Sequence, residues 1–269
     1  MDSRLAVMLL VFSSAALCRA GGEVGYADGR SACDRFVLTR DNSSVAPYRT
    51  SVTFAPADDA LTVLFSAEAP GVGALAASTA GKGAWACAEN FELFLDVSGT
   101  GKSLLHLAVS ANGGWWDERT PKAAPKELDW KASANASKDS YTAKAVFPWA
   151  SLGLKGRPAT GARWRINVGR NFLDASGATV FSSFAATGVR YKEPARFADL
   201  YFGSPEDVVR VRQEAVRKDL EEIRAEIGAL GVSAEFKERL AALERTGKQE
   251  LVAELRDELV VVRAMKGGK

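Results

Sequence analysis

A chain with one histidine and three cysteines has few ways to do chemistry. A multi-histidine zinc site and a four-cysteine cluster are excluded by count, and any Ser-His-Asp triad would have to be built on His106. His106 lies between Leu105 and Leu107 in strand-like text, which reads as a packed or surface strand residue. Paired carboxylates are no more promising. Asp58-Asp59 and Asp117-Glu118 are adjacent in sequence, so each pair diverges on a strand or sits in a turn. Glycoside hydrolysis needs two carboxyls facing one another across a bond, about 5–10 Å apart, and the sequence provides no such pair. Six tryptophans are the more unusual resource, because an indole is a broad apolar plate with one polar handle.

The elements that would position these residues divide at Ser204. All six Trp, 19 of the 24 Gly and eight of the nine Pro precede residue 205. In that part short apolar runs alternate with turn residues. Thr50–Phe54 and Leu61–Ala67 flank the Asp58-Asp59 turn, and Phe91–Asp96 and Ser103–Ser110 flank Ser98-Gly99-Thr100-Gly101, where glycine allows positive φ. Tyr141–Phe147 and Arg163–Asn171 alternate with period two. Phe181–Phe184 and Ala198–Phe202 complete the series. This density of strands predicts an antiparallel β-sandwich, residues 21–203.

The text from 204 to 269 is helical. Ser204 is a cap, Pro205 fits the first turn, and Glu206 and Asp207 face the positive end of the helix dipole. Val209, Val216, Leu220, Ile223, Ile227 and Leu230 form an a/d-like seam. Gly231 and Ser233 mark a reversal into a segment with Phe236, Leu240 and Leu243, and a third stripe follows at Leu251, Leu255, Leu259 and Val262. The fold class expected is therefore mainly β, a sandwich followed by a helical hairpin or short helical bundle. The helical region 205–265 is the candidate element for self-association or a protein partner.

Met1–Ala20 reads as a secretory signal peptide. Arg4 precedes the apolar run Leu5–Phe12, and Cys18-Arg19-Ala20 offers small residues at the cleavage positions. The run is too short to span a bilayer, and no integral span is expected in the mature chain. Export places the protein in the periplasm or outside the cell, where Cys33 and Cys87 form the one available disulfide pair. A net charge of +2 from 35 basic and 33 acidic groups argues against nucleic acid as a partner.

The order of the strand segments resembles the family 9 carbohydrate-binding modules and the wider DOMON-like sandwiches, across roughly Ser31 to Gly203. Asp58-Asp59 leading into Ala60-Leu61-Thr62-Val63 looks like the family's acidic turn and strand. Glu89-Asn90-Phe91-Glu92-Leu93-Phe94-Leu95-Asp96 looks like its D-x-V-E-I-F-L-D strand. Asn112-Gly113, Asp117 and Trp130 match the next hairpin and aromatic. Val146-Phe147-Pro148-Trp149 with Leu152-Gly153 is similar to I-P-F…L-G. The segment Gly161 to Arg170 is similar to G-x-x-W-x-x-N-x-x-R. Ser182-Ser183-Phe184 and Phe197 to Phe202 resemble the closing S-S-W and F-G-x-L-x-F. Phe184 stands where Trp is usual, Asn90 where Asp is usual, and Ala198 replaces a glycine.

The resemblance implies a saccharide ligand, no catalysis, and an accessory role in polysaccharide breakdown. Carried over, Trp85 and Phe184 become the two walls around a sugar ring, Glu92 a hydroxyl acceptor, and Asn167 and Arg170 rim residues. Trp115 and Trp116 are a second candidate platform. The plain alternatives are that Phe184 and the Trp pair pack in the core, that Glu92 is a solvated charge, and that Arg170 is a structural ion-pair partner. No cofactor is required by the resemblance, and a loop-bracing calcium ion is left open. Two further readings stand beside sugar binding: a structural or interaction sandwich whose helical region binds a partner, and haem binding with His106 as axial ligand.

Overall fold

The computed structural model describes residues 24–120, 128–188, 190–230 and 238–242. The chain separates into two compact units, one ending at Phe202 and one beginning at Gly203.

The first unit is a two-layer sandwich. One layer holds β2 (Ser31–Cys33), β4 (Thr50–Pro56), β5 (Ala60–Glu68), β10 (Ser140–Pro148) and β9 (Lys131–Ala136), in the order β2-β4-β5-β10-β9. The other holds β1 (Val24–Ala27), β13 (Ala198–Phe202), β11 (Arg163–Leu173), β6 (Asn90–Asp96), β7 (Leu104–Ser110) and β8 (Trp115–Thr120) in that order. In this layer β12 (Thr179–Ser183) extends the sheet beside the second half of β11, and β3 (Val37–Leu38) follows β12. All pairings are antiparallel except β1 with β13, so the larger sheet is mixed. A short helix, α1 (Val72–Ser78), leaves the end of β5.

Period-two alternation decides which residues meet between the layers. Phe91, Leu93 and Leu95 of β6, Leu105, Leu107 and Val109 of β7, and Trp164, Ile166 and Val168 of β11 face Val52, Phe54, Val63, Phe65 and Tyr141 from the other sheet. The Phe65 and Phe91 rings stack across the gap at 4.6 Å between centroids. Burying side chains of this size contributes about 1.5–3 kcal/mol each. The same alternation sends Asn90, Glu92, Phe94 and Asp96 to the outer face of the larger sheet.

That outer face is partly covered by the segment after β12. Tyr191 and Phe197 pack on Phe94 and Leu104, and Gly169 allows the approach, since a Cβ there would lie 2.6 Å from the Tyr191 ring. The tight β6–β7 hairpin is held by Asp96, whose carboxylate accepts from Ser98 Oγ at 2.8 Å and from the Gly101 amide at 2.6 Å.

Two of the strands missed by the sequence reading differ in kind. Lys131-Ala-Ser-Ala-Asn-Ala lacks β-branched and aromatic residues, yet it pairs with β10 along its whole length, whereas β8 carries Trp115 and Trp116 and pairs with β7. Helix α1 is a seven-residue element and too short to show a period.

The second unit begins with α2, Pro205–Leu230. Its start follows the cap chemistry: Ser204 Oγ accepts from the Asp207 amide at 3.1 Å and donates to the Asp207 carboxylate at 3.0 Å, satisfying an orphan helix donor. Arg217 bridges Glu214 and Glu221 on the exposed face. Ile223 and Ile227 are buried as the seam requires, but the seam starts at Val208, which is buried, and not at Val209, which is exposed. The expected reversal at Gly231 and Ser233, the stripe from Leu251 to Val262, and the leader Met1–Ala20 lie outside the described residues.

Candidate functional site

Trp85 occupies a one-turn 3-10 segment, Ala84–Ala86, and its side chain is half exposed. The loop that carries it rests on the β7–β8 hairpin turn. Asn112 Nδ2 donates to the Thr79 carbonyl at 2.9 Å and to the Lys82 carbonyl at 3.4 Å, while its Oδ1 accepts from the Gly114 amide at 2.9 Å. Gly114 is required for this contact, because a Cβ there would lie 2.7 Å from both Gly83 C and Ala84 N. Gly114→Val is therefore expected to displace the Trp85 loop, with a stability loss of roughly 1–3 kcal/mol from overpacking. Thermal denaturation, together with the change in Trp85 accessibility to a fluorescence quencher, measures both effects.

Beneath Trp85 the outer face of the larger sheet supplies a corner of aromatic and polar groups. The register pairs Glu92 with Ala108 and Ala108 with Trp116, and it pairs Phe94 with His106 and His106 with Glu118. Trp85 meets Trp116 edge-on at 5.5 Å and lies 6.4 Å from the His106 ring. His106 stacks on Phe94 at 4.1 Å and meets Trp116 edge-on at 5.0 Å. Glu92 is buried, with Oε2 2.7 Å from His106 Nε2 and Oε1 accepting from Asn171 Nδ2 at 3.0 Å. The Tyr191 hydroxyl donates to Asn171 Oδ1 at 2.8 Å. Burial, and then the charge of Glu92, hold the Tyr191 phenol well above its usual pKa, so it remains protonated. Chemically, an exposed indole offers a plate for an apolar C–H face, and an oriented carboxylate offers an acceptor for hydroxyls.

No family profile matches the sequence, and no curated protein is significantly similar to it. The structure is similar to solved carbohydrate-binding modules. A family 9 module from Caldicellulosiruptor kristjanssonii in complex with cellotriose matches over 68% of this chain and 95% of its own, with 17% identity and a TM-score of 0.47. The same organism's family 9 module with glucose matches over 68% and 96%, with 18% identity and a TM-score of 0.46.

Of the residues expected at the site, Trp85, Glu92 and Trp116 come together. The others do not join them. Phe184, expected as the second wall, is 4% exposed and packs against Phe36 at 6.4 Å in the core between the sheets. Its parity explains this, because Phe184 continues the inward side of β12. Asn167 is fully buried and saturated: Oδ1 accepts from Ser183 Oγ and the Ala185 amide, and Nδ2 donates to the Tyr191 carbonyl at 3.0 Å. It fixes the covering segment and offers nothing to a rim. Arg170 points inward and is fully buried, ion-paired to Glu89 at 3.3 Å. Trp115 and Trp116 point to opposite faces of β8, so they form no shared platform; Trp115 packs edge-on to Trp130 at 5.2 Å.

Cys33 and Cys87 are both buried and are not joined to each other. Cys33 ends β2 in the smaller sheet, where it pairs with Val52, whereas Cys87 precedes β6 of the larger sheet.

The haem reading gains no support from the surroundings of His106: its ring lies 4.1 Å from Phe94 and 5.0 Å from Trp116 in a packed aromatic corner, with Nε2 2.7 Å from Glu92. Among the described residues no three His, Cys, Asp or Glu side chains converge to hold a metal ion. The loop aspartates serve their own turns. Asp41 accepts from both the side chains and the amides of Ser43 and Ser44, which hold its carboxyl well below the usual range, and Asp174 does the same with Ser176 and Ala178.

Sequence reasoning named His106 only as a strand residue or haem ligand and missed its contact with Glu92, and it missed Asn171 and Tyr191. A signal existed for the first. His106 alternates with Leu105 and Leu107, which assigns it to the outer face, but only the β6–β7 register reveals that Glu92 is its neighbour.

Proposed function

We propose that this is an exported, non-catalytic saccharide-binding protein whose site is the corner formed by Trp85, Trp116, Glu92 and His106. One observation carries the reading: a half-exposed indole beside His106, whose Nε2 lies 2.7 Å from a buried, hydrogen-bonded carboxylate, on an otherwise apolar-backed sheet. The ordered segments that resemble family 9 modules support it, and the leader-like Met1–Ala20 supports export to a compartment where polysaccharides are broken down. Both oxygens of Glu92 are committed to fixed donors, which suits an oriented acceptor better than an acid that must give up a proton. Calorimetric titration against a panel of mono- and oligosaccharides, with reducing-sugar release measured in parallel, tests both halves. Binding without turnover is expected, and steady turnover by a pure preparation would reverse the non-catalytic assignment.

A second reading is favoured by the interior positions of Phe184, Asn167 and Arg170. In it the sandwich is a structural or interaction domain, and the helical region from 204 is the partner-binding element. The two readings separate by truncation. A chain ending at Gly203 is expected to stay folded and keep its saccharide affinity within a few-fold, while losing most of its helical circular dichroism. Under the second reading the same truncation abolishes partner capture, and the full chain binds no saccharide.

A further inference from the structure

His106 is the single histidine of the chain, and its two ring nitrogens have unequal roles. The inequality is imposed by a directed chain of hydrogen bonds. It starts at Tyr191, whose protonated hydroxyl shares its one hydrogen between Asn171 Oδ1 at 2.8 Å and the Arg170 carbonyl at 3.0 Å. The amide of Asn171 is thereby oriented, and its two hydrogens go to Asn90 Oδ1 at 2.9 Å and Glu92 Oε1 at 3.0 Å. The other oxygen of Glu92 lies 2.7 Å from His106 Nε2. A carboxylate only accepts, so Nε2 carries the hydrogen and Nδ1 of the neutral ring is a bare acceptor. Among the described residues Nδ1 has no hydrogen-bond partner. The ring cannot easily turn away, because Phe94 lies flat against it at 4.1 Å and Trp116 meets it edge-on at 5.0 Å.

We infer that His106 is a specificity residue of the saccharide site, its Nδ1 accepting a hydrogen from one sugar hydroxyl while Trp85 and Trp116 hold the ring's C–H face. The inference rests on the saccharide-binding reading above and adds to it the residue that distinguishes one sugar epimer from another. An acceptor fixed in position favours a hydroxyl at one place on the pyranose, and an epimer that moves that hydroxyl leaves Nδ1 desolvated and unpaired.

The experiment is calorimetric titration of the full chain with methyl glucoside, mannoside, galactoside and xyloside. Four proteins are compared: wild type, Trp85→Ala, His106→Phe and His106→Gln. For the tightest pyranoside, His106→Phe, which keeps the stack on Phe94, is expected to lose about tenfold in affinity and most of the epimer preference. His106→Gln, which restores an acceptor, is expected to recover part of both. If His106→Phe binds as wild type does, with the same epimer preference, while Trp85→Ala does not bind, this inference fails and the saccharide reading stands. If Trp85→Ala binds normally, or wild type binds no pyranoside, both fail. Should His106→Phe not fold, the imidazole resonances of the single histidine in wild type decide: saturating sugar should move them, and unmoved resonances overturn the proposal.

Discussion

Trp85→Ala is expected to remove saccharide binding while leaving the fold intact. The indole is 50% exposed and packs edge-on against Trp116, so its loss should lower the unfolding free energy by about 1–2 kcal/mol, well short of a core tryptophan. Its contribution to a bound sugar is different in kind. A rigid aromatic plate that loses water only when a ligand covers it acts as a binding hot spot, worth about 2 kcal/mol or more, or roughly 30-fold in affinity. Trp116→Ala should have a smaller effect on contact area but a larger effect on order, since Trp116 braces both Trp85 and His106 edge-on. Affinity electrophoresis and calorimetry on the two variants, with denaturant unfolding as a control, measure the effects separately. Retention of wild-type affinity by Trp85→Ala would overturn the proposed site.

The contrast between Trp85 and Phe184 shows what the sequence could reveal and what it could not. Both were paired as walls because each stands where a family aromatic is usual. For Trp85 a local cue was present: Gly81, Gly83 and the turn around them make poor core, and the indole is indeed exposed. For Phe184 the deciding fact is strand parity at the end of β12, which depends on where β12 pairs with β11. Alternation along β6 separates Phe91, Leu93 and Leu95 from Glu92 by sequence alone, since period two is a local property. It could not reveal that Asn171, 79 positions away, donates to Glu92. That contact arises from the pairing of β11 with β6, which is non-local. The same holds for Arg170. Its side chain type suits a sugar rim and a buried ion pair equally well, and only the identity of its neighbours separates the two.

Those neighbours make Arg170 the residue whose replacement should damage the fold most. Its guanidinium is fully buried between the layers. It donates to Thr50 Oγ1 at 2.7 Å on β4, to the Glu68 carbonyl on β5, and to Glu89 at 3.3 Å, so one side chain from the larger sheet ties down two strands of the smaller. Phe172 and Tyr48 flank it at 5.1 and 6.0 Å. Removing one member of a buried pair leaves the other charged without a partner, which costs about 3–5 kcal/mol. Arg170→Met is expected to fall in that range, and Arg170→Lys to recover little, because a single ammonium cannot span three acceptors set in a fork. The pH dependence identifies the cause. Burial raises the Glu89 pKa, and the charge of Arg170 opposes that rise, so without Arg170 the folded-state value moves further up. A carboxyl whose folded pKa exceeds its unfolded one favours the folded state fully below the unfolded value, near 4.5, and loses that contribution as pH rises through the folded value. The deficit of Arg170→Met relative to wild type should therefore grow between about pH 4.5 and neutrality. Arg170→Met with Glu89→Gln should recover much of the stability at pH 7 and flatten that dependence, giving a coupling of a few kcal/mol in the double-mutant cycle. Urea unfolding of the four proteins across this pH range is the measurement. A single variant within about 1 kcal/mol of wild type, or additive losses in the double variant, would mean that the pair is not what holds the two sheets together.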